Sequence, residues 1–136
     1  MNQKLTLSKA ERLKSKTTLE ALFKEGNTIK CGSLVLLWQF QNPAVPSPVQ
    51  VAFSVPKKIF RKATDRNKIK RRMRESYRIN RSGLYELLIE RNKQLALFFL
   101  YRNGEAMGHA DLQDKIIVAL ARLEKEIKKE LNNEKE

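Results

Sequence analysis

The chain of 136 residues has room for one folded domain around one core, and too little for two domains of ordinary size. Its hydrophobic content of 41% is that of an ordinary globular protein, and no stretch approaches the roughly 20 apolar residues of a membrane span. A formal net charge of +13 points to a polyanionic partner.

Residues 1–16 are polar and charged, so no secretory signal is expected, and residues 1–10 are expected to fray. The spacing predicts a first helix over 12–26. Thr17 and Glu20 have capping-box spacing, Leu19, Leu22 and Phe23 share a face, and Gly26 supplies the stop. Residues 29–41 are apolar around Gly32 and read as a short strand followed by a longer one. Cys31 is the lone cysteine, expected as a buried thiol in a reducing, cytoplasmic compartment. Pro43, Pro46 and Pro48 mark a connection, because proline cannot donate to a central ladder.

Residues 49–55 alternate. Val49, Val51, Phe53 and Val55 point one way, and Gln50, Ala52 and Ser54 the other. Pro56 closes that strand and a basic loop, Lys57 to Lys62, follows. A helix is predicted over 64–80 with Thr64 or Asp65 as its cap. Ser82-Gly83 breaks the chain, 84–91 reads as a short helix, 94–101 as an apolar strand, and Arg102-Asn103-Gly104 as a turn. The last helix, over 111–131, sets Leu112, Ile116, Leu120, Leu123, Ile127 and Leu131 on one face, and 132–136 should fray. The order of helix, strands, helix, strand, helix is that of an α+β domain, a sheet with helices packed on it, covering residues 1–136.

The charge is unevenly placed along this order. Residues 31–56 carry no charged side chain, while residues 57–81 carry twelve basic and two acidic ones. A solvated lysine-rich surface would intersperse acids with bases, as residues 82–136 do with nine bases and ten acids. The central block instead demands a polyanion for counter-charge. On a helical wheel, Ile69, Met73, Ser76, Tyr77 and Asn80 form the buried stripe. Arg66, Lys70 and Arg74 run along one edge of it, with Asn67, Arg71 and Arg78 just outside, and Lys68, Arg72 and Glu75 on the far flank. Guanidiniums grip phosphates through paired hydrogen bonds, and Asn67 suits a phosphate, sugar or base edge.

A basic helix can enter the DNA major groove, but no short helix–turn–helix spacing precedes this one. RNA backbone and single strands fit better. The Gln50, Ala52 and Ser54 face is too small and polar for good core. If the first helix and the basic helix flank it, the result is a shallow groove in which Phe23 or Trp38 would stack a base.

The run Phe53-Ser54-Val55-Pro56-Lys57-Lys58-Ile59, followed by Arg66-Asn67-Lys68-Ile69-Lys70-Arg71-Arg72-Met73-Arg74-Glu75, resembles the signature of the bacterial ribonuclease P protein subunit family. That signature is a strand ending in Ser-Val-x-Lys-Lys, then a helix reading Arg-Asn-x-x-Lys-Arg-x-x-Arg, matched at Arg66, Asn67, Lys70, Arg71 and Arg74. Arg12-Leu13-Lys14 and Leu22-Phe23-Lys24-Glu25-Gly26 also look like the family's first helix, so the resemblance covers roughly residues 10–103. Lys68 replaces the usual arginine, Leu19 stands where an aromatic is frequent, and residues 82–93 are longer than the usual connection.

The resemblance implies a four-stranded mixed sheet with a left-handed βαβ crossover. It also implies a function: helping a catalytic RNA remove the 5′ leader of precursor tRNA, with magnesium held by the RNA subunit and substrate. The expected RNA-binding residues are Arg66, Asn67, Lys68, Lys70, Arg71, Arg74, Lys57, Lys58 and Arg12. Phe23, Gln50, Ala52, Ser54 and Trp38 are expected to line a leader cleft. The expected partners are the RNA subunit and precursor tRNA, with a protein that is monomeric on its own. No catalytic or metal-binding side chain is expected. His109 is the only histidine, Asp65 stands among cations, and Asp111 and Asp114 suit a helix N-terminus. The competing reading is a ribosomal or other structured-RNA-binding protein with no part in catalysis.

Overall fold

A computed structural model of the chain describes residues 7–42, 45–102 and 109–134. A 3-10 turn at Lys9–Glu11 leads to helix α1, Lys16–Glu25. Ser15 caps α1 by accepting the Thr18 N–H at 3.2 Å, so the helix starts later than the Thr17 and Glu20 spacing and the 12–26 span suggest. The reason is tertiary. The Leu13 N–H donates to the Val51 carbonyl at 3.0 Å and Arg12 bridges Val51 in parallel, so these residues are drawn out as an extended strap.

Strands β1, Asn27–Cys31, and β2, Leu34–Gln41, form a hairpin closed by Gly32 and Ser33. Gly32 has φ +58, a left-handed conformation that a side chain would strain. Strand β3, Val49–Ser54, then leads to helices α2, Ala63–Asn80, and α3, Ser82–Glu90, strand β4, Gln94–Tyr101, and helix α4, His109–Glu134. The sheet order is β1-β2-β4-β3. β2 pairs antiparallel with both β1 and β4, while β3 and β4 are parallel neighbours joined through α2 and α3. The sheet is thus mixed and the architecture α+β, as expected.

α2 starts at Ala63, one residue before the expected span. Its capping position is Lys62, which makes no side-chain cap, in place of Thr64 or Asp65. Among the described residues, those nearest the two ends belong to the fold. Leu7 is buried in the main core, Ser8 and Glu11 form a capping box, and α4 runs helical to Glu134. Expectations on residues 1–6, 135–136, Pro43 of the connection and the Asn103-Gly104 part of the turn lie outside the described residues.

The two faces of the sheet are unequal. Val49, Val51 and Phe53 lie beside Leu95, Leu97 and Phe99 of β4, and with Leu36 and Trp38 of β2 they meet α2, α3 and α4 in the main core. Ile69, Met73, Ser76 and Tyr77 of α2 are buried there, as the wheel predicts, whereas Asn80, the last member of that stripe, is only half-buried; all six of the apolar residues expected on the α4 face are buried. The opposite face carries Gln50, Ala52, Ser54, Ala96 and Phe98. α1 and the strap cover part of it, with Leu22 and Leu13 packed on Ala96 and Phe98. β4 is therefore covered on both faces, which explains its near-continuous apolar run.

Candidate nucleic-acid interface

α2 packs its apolar stripe on the main-core face, so it does not lie over the Gln50, Ala52 and Ser54 face; of the groove the sequence suggested, α2 borders only the Ala52 end, through Lys70 and Arg74. It lies along the β3 side of the sheet instead, where one edge of the helix reaches the strap. Arg12 and Lys14 from the strap, Ala52 from β3, and Lys70 and Arg74 from α2 line one cleft of about 320 Å³. The strap forms the roof because Leu13 packs with Ala52, Leu22, Ala96 and Phe98, which turns Arg12 and Lys14 outward. Lys14 lines this cleft although it is not among the expected RNA-binding residues: the strap's pairing with Val51 spans a long stretch of chain that local periodicity cannot see.

A second hollow, of about 490 Å³, runs along the outer face of α2 and is lined by Thr64, Asn67, Lys68, Arg71 and Arg74. This corrects the placement of Lys68, which the wheel put on the far flank with Arg72. Lys68 and Arg71 both reach the shared hollow, because positions three and four apart are neighbours on a helix. Arg74 borders both hollows. Among the described residues, no carboxylate lines either one.

Arg66 does something else. Its guanidinium donates to the carbonyls of Phe60 at 2.8 Å and Arg61 at 2.9 Å, so it ties down the basic loop. Lys57 and Lys58 are exposed on the turn that follows β3, where Ile59 N–H bonds back to Pro56 at 3.1 Å. They stand outside both hollows.

Phe23 projects from α1 onto Phe98, edge to face at 5.1 Å, and is 60% exposed. Phe98 is the cross-strand partner of Ala52, so the ring stands one strand away from the cleft. Gln50 and Ser54 share that face and are half-buried; Gln50 accepts a hydrogen bond from Gln41 at 3.1 Å.

Trp38 must be removed from the group. It is 1% exposed, lies on the opposite face of the sheet, and packs edge to face on Phe40 at 5.5 Å. Its position in β2 pairs it with Leu97, whose side chain belongs to the main core. A one-residue step along a strand reverses the face, and the register of β2 was not legible from its nearly continuous apolar run.

Among the described residues, no three His, Cys, Asp or Glu side chains converge as a metal site. No helix among them is long and apolar enough to cross a membrane. Cys31 is buried, as expected, with its thiol 3.8 Å from the Lys115 carbonyl.

A family model described as Ribonuclease P matches residues 7–124. A ribonuclease P protein component from Chlorobaculum tepidum is 37% identical over 103 residues, spanning 71% of this chain and 67% of that one. One from Porphyromonas gingivalis is 32% identical over 99 residues, spanning 73% and 72%. The solved RNase P protein from Thermotoga maritima superimposes with a TM-score of 0.65 at 26% identity, over 82% of this chain and 96% of that one. The motif spacing, the fold and the matched length agree, and the chain belongs to the ribonuclease P protein family.

Proposed function

We propose that this chain is the protein component of a cytoplasmic ribonucleoprotein that removes the 5′ leader from precursor tRNA, with the RNA subunit performing the hydrolysis. The observation that carries this reading is the pair of adjoining hollows, lined by cations and free of carboxylates among the described residues, in a family that works on RNA. Asn67, Lys68, Arg71 and Arg74 present donors along one helix face, suited to the backbone of a structured RNA. The cleft under the strap suits single-stranded leader, with Arg12, Lys14, Lys70 and Arg74 taking phosphates and the exposed Phe23 ring offering a stacking surface. Stacking tolerates any base, so sequence preference along the leader should be weak. Magnesium belongs to the RNA subunit and the substrate in this reading; the protein supplies cations that keep two RNA strands close. A structured-RNA-binding protein with no processing role is disfavoured by the family assignment.

The direct test is reconstitution. The purified protein alone should cleave nothing. Protein plus RNA subunit should process precursor tRNA at low magnesium better than RNA subunit alone. Leader cleavage by the protein alone, surviving ribonuclease treatment of the preparation, would overturn the assignment of the chemistry to RNA.

The two hollows also make separable predictions. Lys68→Ala and Arg71→Ala should weaken binding to the RNA subunit and flatten the plot of log K against log salt by about 0.7–0.9 for each phosphate left without its cation. Arg74→Ala should weaken both RNA-subunit and leader binding, because it borders both hollows. Arg72→Ala, half-buried on the other flank, should do less. Equal losses at all four positions in salt-titrated filter binding would show that net charge alone governs the interaction.

A further inference from the structure

Glu11 is a buried carboxylate in a strongly basic chain, 7% exposed. Burying an acid is costly unless its oxygens are paired and hydrogen-bonded. Here both are. Oε1 accepts from the Ser8 N–H at 3.1 Å and the Ser8 hydroxyl at 2.9 Å. Oε2 accepts the Tyr85 hydroxyl at 2.7 Å and pairs with the Arg81 guanidinium. Tyr77 in turn donates to the Tyr85 oxygen at 3.1 Å, and Arg81 stacks over the Tyr85 ring at 4.8 Å. Burial raises both phenols above their ordinary pKa, so they stay protonated as donors. One of the twelve bases in the central block is thereby committed to an internal acid.

This network joins points far apart in the chain. Glu11 ends the 3-10 turn of the strap, and Arg81 is the single residue between α2 and α3. Immediately after Glu11, Arg12 and Leu13 meet the edge of β3 and Lys14 reaches the cleft. The strap is therefore pinned at its start by Glu11 and further along by the Leu13 to Val51 bond, with Arg12 between the two pins.

We propose that Glu11, Arg81 and Tyr85 form a clasp that positions the strap's cations over the cleft, making Glu11 and Arg81 positioning residues for the single-stranded RNA bound there. This rests on the reading of the cleft as the leader site. The sign of the effect separates positioning from bulk charge. Glu11→Gln raises the net charge from +13 by one, so electrostatics alone would tighten RNA binding. Opening the clasp would loosen it.

The experiment uses holoenzyme reconstituted from the full chain and the RNA subunit, with precursor and mature tRNA as ligands. Glu11→Gln should lower the preference for precursor about fivefold, the scale of one phosphate deprived of its cation. In an Arg12→Ala background the same change should cost less than about twofold, because the two residues act on the same phosphate. Tyr85→Phe removes the hydroxyl bond but keeps the ring under Arg81; it should act in the same direction and serves if Glu11→Gln does not fold. Hydrogen exchange at the Leu13 amide should accelerate in either variant.

Full wild-type preference in a folded Glu11→Gln or Tyr85→Phe holoenzyme, losses that add fully to Arg12→Ala, or unchanged Leu13 exchange would each overturn the clasp. Accelerated exchange together with an Arg12→Ala holoenzyme that keeps full preference would place the failure elsewhere, in the assignment of the cleft to the leader.

Discussion

Ala52→Trp is expected to strip the holoenzyme of most of its preference for precursor over mature tRNA. Ala52 is half-buried on β3 and lines the cleft of about 320 Å³ beneath the strap, so an indole there occupies the space that single-stranded leader would enter. Each stacked base is worth about 1–3 kcal/mol, so losing one costs roughly five- to 150-fold in affinity for precursor. No cation is removed. Affinity for mature tRNA and for the RNA subunit should therefore stay within about twofold of wild type.

Ala52 also packs with Leu13, Leu22 and Phe98, and overfilling such a site costs about 1–3 kcal/mol, so the variant's thermal melt must accompany the binding data. Phe23→Ala makes the complementary test by subtraction, since its ring is 60% exposed and contributes little to the core. A folded Ala52→Trp protein whose holoenzyme still prefers precursor to the wild-type extent would remove the leader from this cleft.

Trp38→Ala should produce the largest loss of stability, about 3–5 kcal/mol, with unchanged RNA affinity per folded molecule. The indole is 1% exposed among Leu36, Leu97 and the Phe40 ring, and truncation leaves a cavity in the main core that the close-packed sheet cannot close. Urea titration followed by far-ultraviolet circular dichroism measures the first quantity, and binding corrected for the folded fraction measures the second. A variant that keeps its stability but loses leader affinity would return Trp38 to the cleft and contradict the register of β2.

What the sequence by itself determined is the part governed by local repetition and by charge. The period of two in residues 49–55 separated Val49, Val51 and Phe53 from Gln50, Ala52 and Ser54, and the structure keeps that division. The period of 3.6 in α2 and α4 picked out their buried stripes for the same reason: side-chain direction follows directly from backbone geometry. The polyanion reading followed from twelve bases in twenty-five residues, a matter of composition that no folding detail alters.

The tertiary structure alone decided how these surfaces meet. Trp38 sits in an apolar strand with both faces covered, where alternation carries no information about direction, and only pairing with Leu97 assigns its face. Lys68 joined Asn67 and Arg71 because the hollow spans more of the helix than one ridge. Local propensity in residues 12–15 suits a helix; a hydrogen bond from Leu13 to Val51 and the burial of Glu11 against Arg81 outweigh that weak local preference. Those interactions join residues some forty to seventy positions apart, and no window of sequence contains both partners.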